Sequence, residues 1–183
     1  MSADDTHTVW TIGHSNRSSE EFIGVLHAHG IDLVVDVRRF PGSRRLPHFG
    51  AATLERRLDE TGITYRSLPS LGGRRSPRPD SPNTGWRVEG FRGYADHIDT
   101  EEFAEGLFEL MLLAGGLRTT VMCAEVLWWQ CHRRLIADVL TALDWKVIHI
   151  RDQSASALHV ISDPGRIVHG RLTYEADTQL PLL

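Results

Sequence analysis

Residues 8–37 read TVWTIGHSNRSSEEFIGVLHAHGIDLVVDV, and this stretch decides the fold class. Thr8 to Ile12 is a β-branched and aromatic run that stops at Gly13, which predicts a strand. Ser18, with Glu21 three residues further on, forms a capping-box pattern, so a helix opens there. Phe22, Val25, Leu26 and His29 then recur at the spacing of one helical face, and Gly30 stands where a helix end favours a left-handed residue. Ile31 to Val37 is a second apolar run, a strand with Asp36 near its end. Two strands joined through a helix are expected to lie side by side, parallel, with a right-handed crossover.

The alternation continues outward. Leu54 and Leu58 mark a weaker helix closed by Gly62, and Ile63 to Ser67 is short enough for a third strand. From Leu68 to Arg92 glycine, proline, serine and arginine dominate, which predicts a long loop of the kind that is functional or disordered. Asp99 and Glu102 offer a second capping pair before an amphipathic helix with Phe103, Leu107, Leu110, Met111 and Ala114 on one face, ended by Gly115 and Gly116. Arg118 to Cys123 reads as a buried strand, Leu135, Ile136, Val139, Leu140 and Leu143 as a helix, and Trp145 to Ile150 as another strand. Leu158 to Ile161 and Arg166 to Tyr174 flank Asp163-Pro164-Gly165, which reads as a terminal hairpin over 157–175. The whole pattern predicts a Rossmann-like layered α/β fold with a mainly parallel sheet, helices on both faces and a C-terminal β-hairpin. At 183 residues and 41% hydrophobic content, a loosely ordered start (1–8) followed by one domain (9–183) is expected.

No run of eighteen or more apolar residues occurs, and the first ten residues hold two acids and no basic segment, which argues against a membrane span or signal peptide and for the cytoplasm. Two cysteines, Cys123 and Cys131, are too few for a disulfide framework and are expected as thiols. The net charge of −4 conceals an asymmetry: between Arg38 and Arg92 there are twelve arginines against five acids. Lys146 is the only lysine, so nearly every cation is a planar guanidinium able to grip carboxylate or phosphate through two bonds.

Unusual polar residues gather just after apolar strands. Gly13-His14-Ser15-Asn16 follows the first, Asp36-Val37-Arg38 ends the second, Cys123-Ala124-Glu125 follows the buried strand and His149-Ile150-Arg151 ends the last. In parallel α/β sheets those carboxyl ends share one edge, where ligands bind. The strings Thr11-Ile12-Gly13-His14-Ser15, Asp36-Val37-Arg38, Leu71-Gly72-Gly73-Arg74-Arg75, Phe91 to His97 (FRGYADH) and Met122-Cys123-Ala124-Glu125, followed by Cys131-His132-Arg133-Arg134, resemble the bacterial family catalogued as domain of unknown function 488. The resemblance runs from about Val9 to Ile150. It implies an α/β domain and shared positions, and it brings no reaction with it; the hairpin lies beyond it.

Three chemistries fit these residues. In the first, Cys131 is a nucleophile whose thiolate is favoured by a helix N-terminus and by His132, Arg133 and Arg134, with Glu125 and His14 as general acid and base. Cys123, on a buried strand, is expected to be inert. In the second, Cys123, Cys131, His132 and His14 hold a metal, but Cys-x7-Cys-His is not a recognised zinc spacing and no metal ligand is assigned. The third is anion recognition by Arg38, Arg74, Arg75, Arg92, Arg133 and Arg134, helped by a helix beginning near Gln130, with Ser15, Asp36 and Tyr94 completing the ligand-binding set. The alternative for the arginines is a set of structural salt bridges to Asp36, Asp96 and Glu125. Together these give an enzyme of unassigned reaction acting on a phosphate-bearing ligand, a nucleotide or nucleic acid. The rivals are a non-catalytic nucleic-acid-binding module and a metal-binding or thiol-redox protein built on Cys123, Cys131 and His132. No cofactor and no oligomeric state is read from the sequence.

Overall fold

The computed structural model describes residues 7–42 and 45–176. Most of the expected loose N-terminus, residues 1–6, lies outside the described residues; Thr8, at its other end, already opens a strand and is buried. Eight strands are seen among the described residues: β1 Thr8–Gly13, β2 Leu33–Asp36, β3 Thr64–Ser67, β4 Thr119–Cys123, β5 Lys146–Ile150, β6 Ser156–Leu158, β7 Arg166–Val168 and β8 Arg171–Thr173. Five α-helices accompany them: α1 Ser19–Ala28, α2 Ala51–Asp59, α3 Glu89–Ile98, α4 Glu101–Ala114 and α5 Arg133–Ala142.

The six-stranded sheet has the order β3-β2-β4-β1-β5-β6. All its pairings are parallel except the last, in which β6 runs against β5. Side chains of parallel strands alternate between two covered faces. Trp10, Ile12, Val34, Met122 and Ile150 pack with α1 and α2 on one face. Val9, Leu33, Val35, Val121, Cys123 and Val147 pack with α3, α4 and α5 on the other. The layered fold with helices on both faces is therefore as the sequence predicts. No helix among the described residues is long and apolar enough to cross a membrane.

Local signals hold where they are local. Ser18 accepts from the Glu21 amide at 3.1 Å while the Glu21 carboxylate accepts from the Ser18 amide at 2.8 Å, closing the capping box. Gly30 has φ +61° at the end of α1.

Four details differ from expectation. β1 and β2 are not neighbours, because β4 inserts between them and pairs with both. The predicted loop ends at Val88: Glu89 to Arg92 form the first turn of α3, a helix whose N-terminus has no side-chain cap. α4 is capped by Thr100, which accepts from the Phe103 amide at 3.2 Å, not by Asp99. The hairpin turns at His169-Gly170, whose φ values of +50° and +76° suit a tight two-residue turn, rather than at Asp163-Pro164-Gly165. The segment before it instead gives β6 to the sheet edge.

Candidate functional site

The parallel ladder sets the carboxyl ends side by side, with Gly13 opposite Cys123 and Asp36 opposite Met122. Backbone pairing continues past the strands: His14 N–H donates to Cys123 O (2.9 Å) and Ser15 N–H to Ala124 O (3.0 Å). Ser15 has φ +55°, which turns the chain out of the sheet plane toward α1. A pocket of about 180 Å³ opens above these ends, walled by Arg38, Arg39, Phe40, Gly73, Arg74, Glu125 and His132, with Cys123 and Cys131 also lining it.

The two cysteines are free thiols, 1% and 3% exposed, with sulfurs 2.8 Å apart. Cys123 comes from the last position of β4, and Cys131 from the residue two before α5. His132 Nδ1 lies 3.5 Å from Cys131 Sγ. The ring enters because residue 73 is glycine: a Cβ there would stand 2.7 Å from His132 Nδ1. Arg133 is 1% exposed, and its Nη2 donates to Glu125 O (2.5 Å) and Val126 O (3.3 Å). Gly13 permits that arrangement, since a Cβ on residue 13 would overlap the Glu125 carbonyl at 1.7 Å.

The thiols are electrostatically unequal. Burial pushes the Cys123 thiol well above its ordinary value, and its hydrogen bond with Cys131 raises it further. Burial also works against a charge on Cys131, but hydrogen bonds from Cys123 and His132, and the positive potential of His132 and Arg133, outweigh it and draw that thiol well below. The sulfur next to the helix start is thus the more acidic of the two, and the strand sulfur the less acidic.

Asp36 and Arg38 form a buried pair at the rim. Arg38 Nε donates to Asp36 Oδ1 at 2.8 Å and Nη2 to Oδ2 at 2.6 Å, while Tyr65 O–H donates to Oδ2 at 2.7 Å. Arg38 Nη2 also caps the Phe49 carbonyl at 2.8 Å. His14 lies behind this pair. Its Nδ1–H donates to Ser15 O (2.8 Å), which leaves Nε2 to accept from Arg38 Nη1 (3.3 Å). The ring stacks on Phe49 at 4.1 Å, and burial, with the Arg38 charge adding to it, pushes its pKa down to about 4. His14 is therefore a neutral imidazole that orients Arg38.

Of the residues singled out in the sequence, Arg38, Arg74, Glu125 and Cys131 line the pocket, Arg133 lies beneath it, and Ser15, Asp36 and His14 support its wall. Glu125 is exposed, and Arg74, at φ +60°, is exposed at the mouth. Three others lie outside the pocket lining. Tyr94 is fully buried and donates to Leu71 O (2.7 Å), supporting the Gly72-Gly73 loop from below. Arg134 donates to Ser162 Oγ (2.8 Å) and Ser162 O (3.1 Å) and lies over Trp86, tying down the segment before the hairpin. Arg92 is half-buried on α3 and is not among the pocket-lining residues. Of the supposed acid partners only Asp36 pairs with an arginine side chain here; Asp96 instead accepts from the Arg78 amide, Ser81 and Asn83. Sequence reasoning missed Arg39, though it directly follows Asp36-Val37-Arg38; it left Cys123 inert in the nucleophile reading and gave it a part only in the metal-binding and thiol-redox alternatives. Among the described residues no three or more His, Cys, Asp or Glu side chains converge to hold a metal ion.

The fold is thus a layered α/β sheet with paired thiols and arginines around a pocket at the carboxyl ends of its strands, the edge where parallel sheets take ligands. The chain belongs to the family described as Domain of unknown function DUF488, whose model matches residues 18–140. That span includes Asp36, Arg38, both cysteines and Arg133; β1 lies before it and β5 after it. No curated protein and no solved structure matches the chain.

Proposed function

We propose that the protein is a thiol-dependent oxidoreductase that reduces a disulfide carried on an anionic substrate, with Cys131 as nucleophile and Cys123 as resolving thiol. The observation that carries this is the contact of the two sulfurs at 2.8 Å in the pocket, one favoured as thiolate and one as thiol. That inequality suits a division of labour: the thiolate attacks, and the protonated partner waits. The Cys131 thiolate attacks one substrate sulfur, an S–S bond forms between them, and the other substrate sulfur leaves as a thiolate. Cys123 then attacks Cys131 Sγ, giving up its proton to the departing substrate sulfur. The protein loses two electrons as its disulfide closes, the substrate gains both, and a second thiol compound restores the dithiol.

Arg39 and Arg74 at the mouth favour a negatively charged substrate, and they also wall a neighbouring cleft of about 310 Å³ with Arg75 and Arg78. Arg75 is committed to Glu102 through two bonds of 2.9 Å, which leaves Arg39, Arg74 and Arg78 to face an anion. A phosphate- or carboxylate-bearing ligand spanning the pocket and the cleft meets both the thiols and the cations. Glu125 at the rim and His132 beside Cys131 are the groups placed to handle protons; His14, enclosed behind Arg38, serves to position that arginine.

The test is trapping. Incubation of the native protein with oxidised glutathione, a polyanionic disulfide, should give a Cys123–Cys131 disulfide by mass spectrometry. Cys123→Ser should arrest at a Cys131–glutathione adduct, and Cys131→Ser should give no adduct. Arg74→Ala should slow the reaction with oxidised glutathione more than that with cystamine, a cationic disulfide. Thiols that stay unmodified until the protein unfolds would overturn the proposal.

A further inference from the structure

On the sheet face that carries the thiols, an unbroken line of buried polar groups runs away from Arg133. Arg133 Nη1 donates to Thr11 Oγ1 at 3.3 Å, and Thr11 Oγ1 lies 2.7 Å from His149 Nδ1. His149 Nε2 lies 2.9 Å from His159 Nδ1, and His159 Nε2 lies 2.8 Å from Asp138 Oδ1. Tyr174 O–H donates to the other carboxylate oxygen at 3.0 Å. None of these six residues is more than 3% exposed.

Donor and acceptor valence fixes the direction of the line. Arginine has only donors and a carboxylate only acceptors, so Thr11 Oγ1 accepts from Arg133 and His159 Nε2 donates to Asp138; with one proton on each ring, Thr11 turns its own hydrogen to His149 Nδ1. His149 then carries its proton on Nε2 and donates to His159 Nδ1, and His159 donates from Nε2 to Asp138. Every hydrogen in that arrangement points from the guanidinium toward the carboxylate. Trp128 lies flat on His149 at 4.1 Å and 7°, closing the line from outside. Burial pushes the His149 pKa down to about 3.

The order carboxylate, imidazole, imidazole, hydroxyl is also that of an activated nucleophile. Thr11 does not fit the part: it is 1% exposed, its oxygen receives Arg133 and its hydrogen is committed to His149. What the line does reach is Arg133, the cation electrostatically coupled to both thiols. We infer that Asp138, His159, His149 and Thr11 are positioning residues for Arg133, fixing where its guanidinium stands against the Cys123 and Cys131 sulfurs and so how readily Cys131 attacks. This rests on the thiol function proposed above. Among the described residues the other groups around Cys131 are Cys123, His132 and, from α3, Tyr94, with Arg38, Arg39, Arg74 and Glu125 lining the same pocket. All of them stay unaltered in the variants below.

The experiment is the rate of Cys131 alkylation by iodoacetamide in the native protein from pH 4 to pH 9. It compares the parent with Thr11→Val, Thr11→Ser, Asp138→Asn and Tyr174→Phe, each verified as folded by near-ultraviolet circular dichroism. Thr11→Val and Asp138→Asn should move the alkylation midpoint to higher pH, lowering the rate near pH 6 by about threefold or more. Thr11→Ser, which keeps the hydroxyl, should behave as the parent, and Tyr174→Phe should shift the midpoint in the same direction by less. Folded variants that melt earlier but keep the parental midpoint overturn the inference and leave the thiol function standing. A parent Cys131 inert throughout the native state overturns both. If Asp138→Asn does not fold, the two Thr11 variants decide.

Discussion

Asp36→Ala tests the architecture of the pocket rim. The carboxylate is fully buried and accepts from the Arg38 amide (3.0 Å), Arg38 Nε (2.8 Å), Arg38 Nη2 (2.6 Å) and Tyr65 O–H (2.7 Å). Arg38 is only 8% exposed, so truncating Asp36 strands a guanidinium where little water reaches it. Breaking a buried ion pair from one side costs about 3–5 kcal/mol, a large share of the roughly 5–15 kcal/mol that holds a typical domain folded. At about 2–4 °C per kcal/mol for a chain of this size, Tm should fall by ~6–20 °C. Urea unfolding at pH 7, followed by tryptophan fluorescence, measures the loss as a lower midpoint at unchanged slope. Arg38→Met in the same background removes the stranded charge and should recover a substantial part of the stability. A loss below about 1 kcal/mol, the worth of an exposed pair, refutes the reasoning, as does a double variant no more stable than Asp36→Ala.

Three further outcomes are expected. His14 has a folded pKa near 4, below the ordinary 6.5, so its contribution is present above pH 6.5 and is lost as pH falls toward 4, by about 2–3 kcal/mol in all; His14→Gln should flatten that arm of the plot of urea midpoint against pH, and an unchanged slope speaks against it. Gly13→Ala forces a methyl to within 1.7 Å of the Glu125 carbonyl and should cost at least about 3 kcal/mol or leave no native protein, whereas Gly90→Ala, with nothing within 4 Å, should be neutral or stabilising by about 0.5–1 kcal/mol in thermal melts. Trp128→Ala uncovers His149 and should raise its pKa from about 3 toward the ordinary value, read from its imidazole proton resonances, while costing about 2–4 kcal/mol; a resonance that does not move contradicts the shielding.

The parts of the fold legible in the sequence are those whose causes are short-range. The Ser18 to Glu21 box and the left-handed Gly30 depend on a few adjacent residues, and both are found as read. Strand order depends on which apolar edge meets which after the chain collapses, and nothing near Ile31 to Val37 records that β4 takes the place between β1 and β2. α3 was hidden because Gly90 and Gly93 weaken its helical signal and Val88 offers no capping side chain. The hairpin was displaced because Asp-Pro-Gly is a stronger turn signal than His-Gly, although histidine tolerates the left-handed region.

At the pocket, the rule that ligands meet the carboxyl ends of parallel strands was enough to bring Arg38, Arg74, Glu125 and Cys131 together. It could not separate Arg134, whose partners lie 28 and 29 residues further on, from Arg133, whose partners are near in space to the thiols. Nor did it reveal Asp138 and His159, because a single polar residue on an apolar helix face gives no sign of the group it will meet across the sheet.

The grip of Arg133 on the carbonyls of Glu125 and Val126 makes one rigid body of the segment after β4 and the floor below it. Lifting that segment to admit a ligand means pulling a buried guanidinium off its acceptors, at about 1.5–3 kcal/mol for each bond. On the opposite wall Arg39, Phe40 and Arg74 stand in water, with Arg39 Nη1 meeting the Arg74 carbonyl at 3.0 Å. That side is held by exposed contacts, so an approach to the thiols from the cationic wall displaces less than one from the Arg133 side.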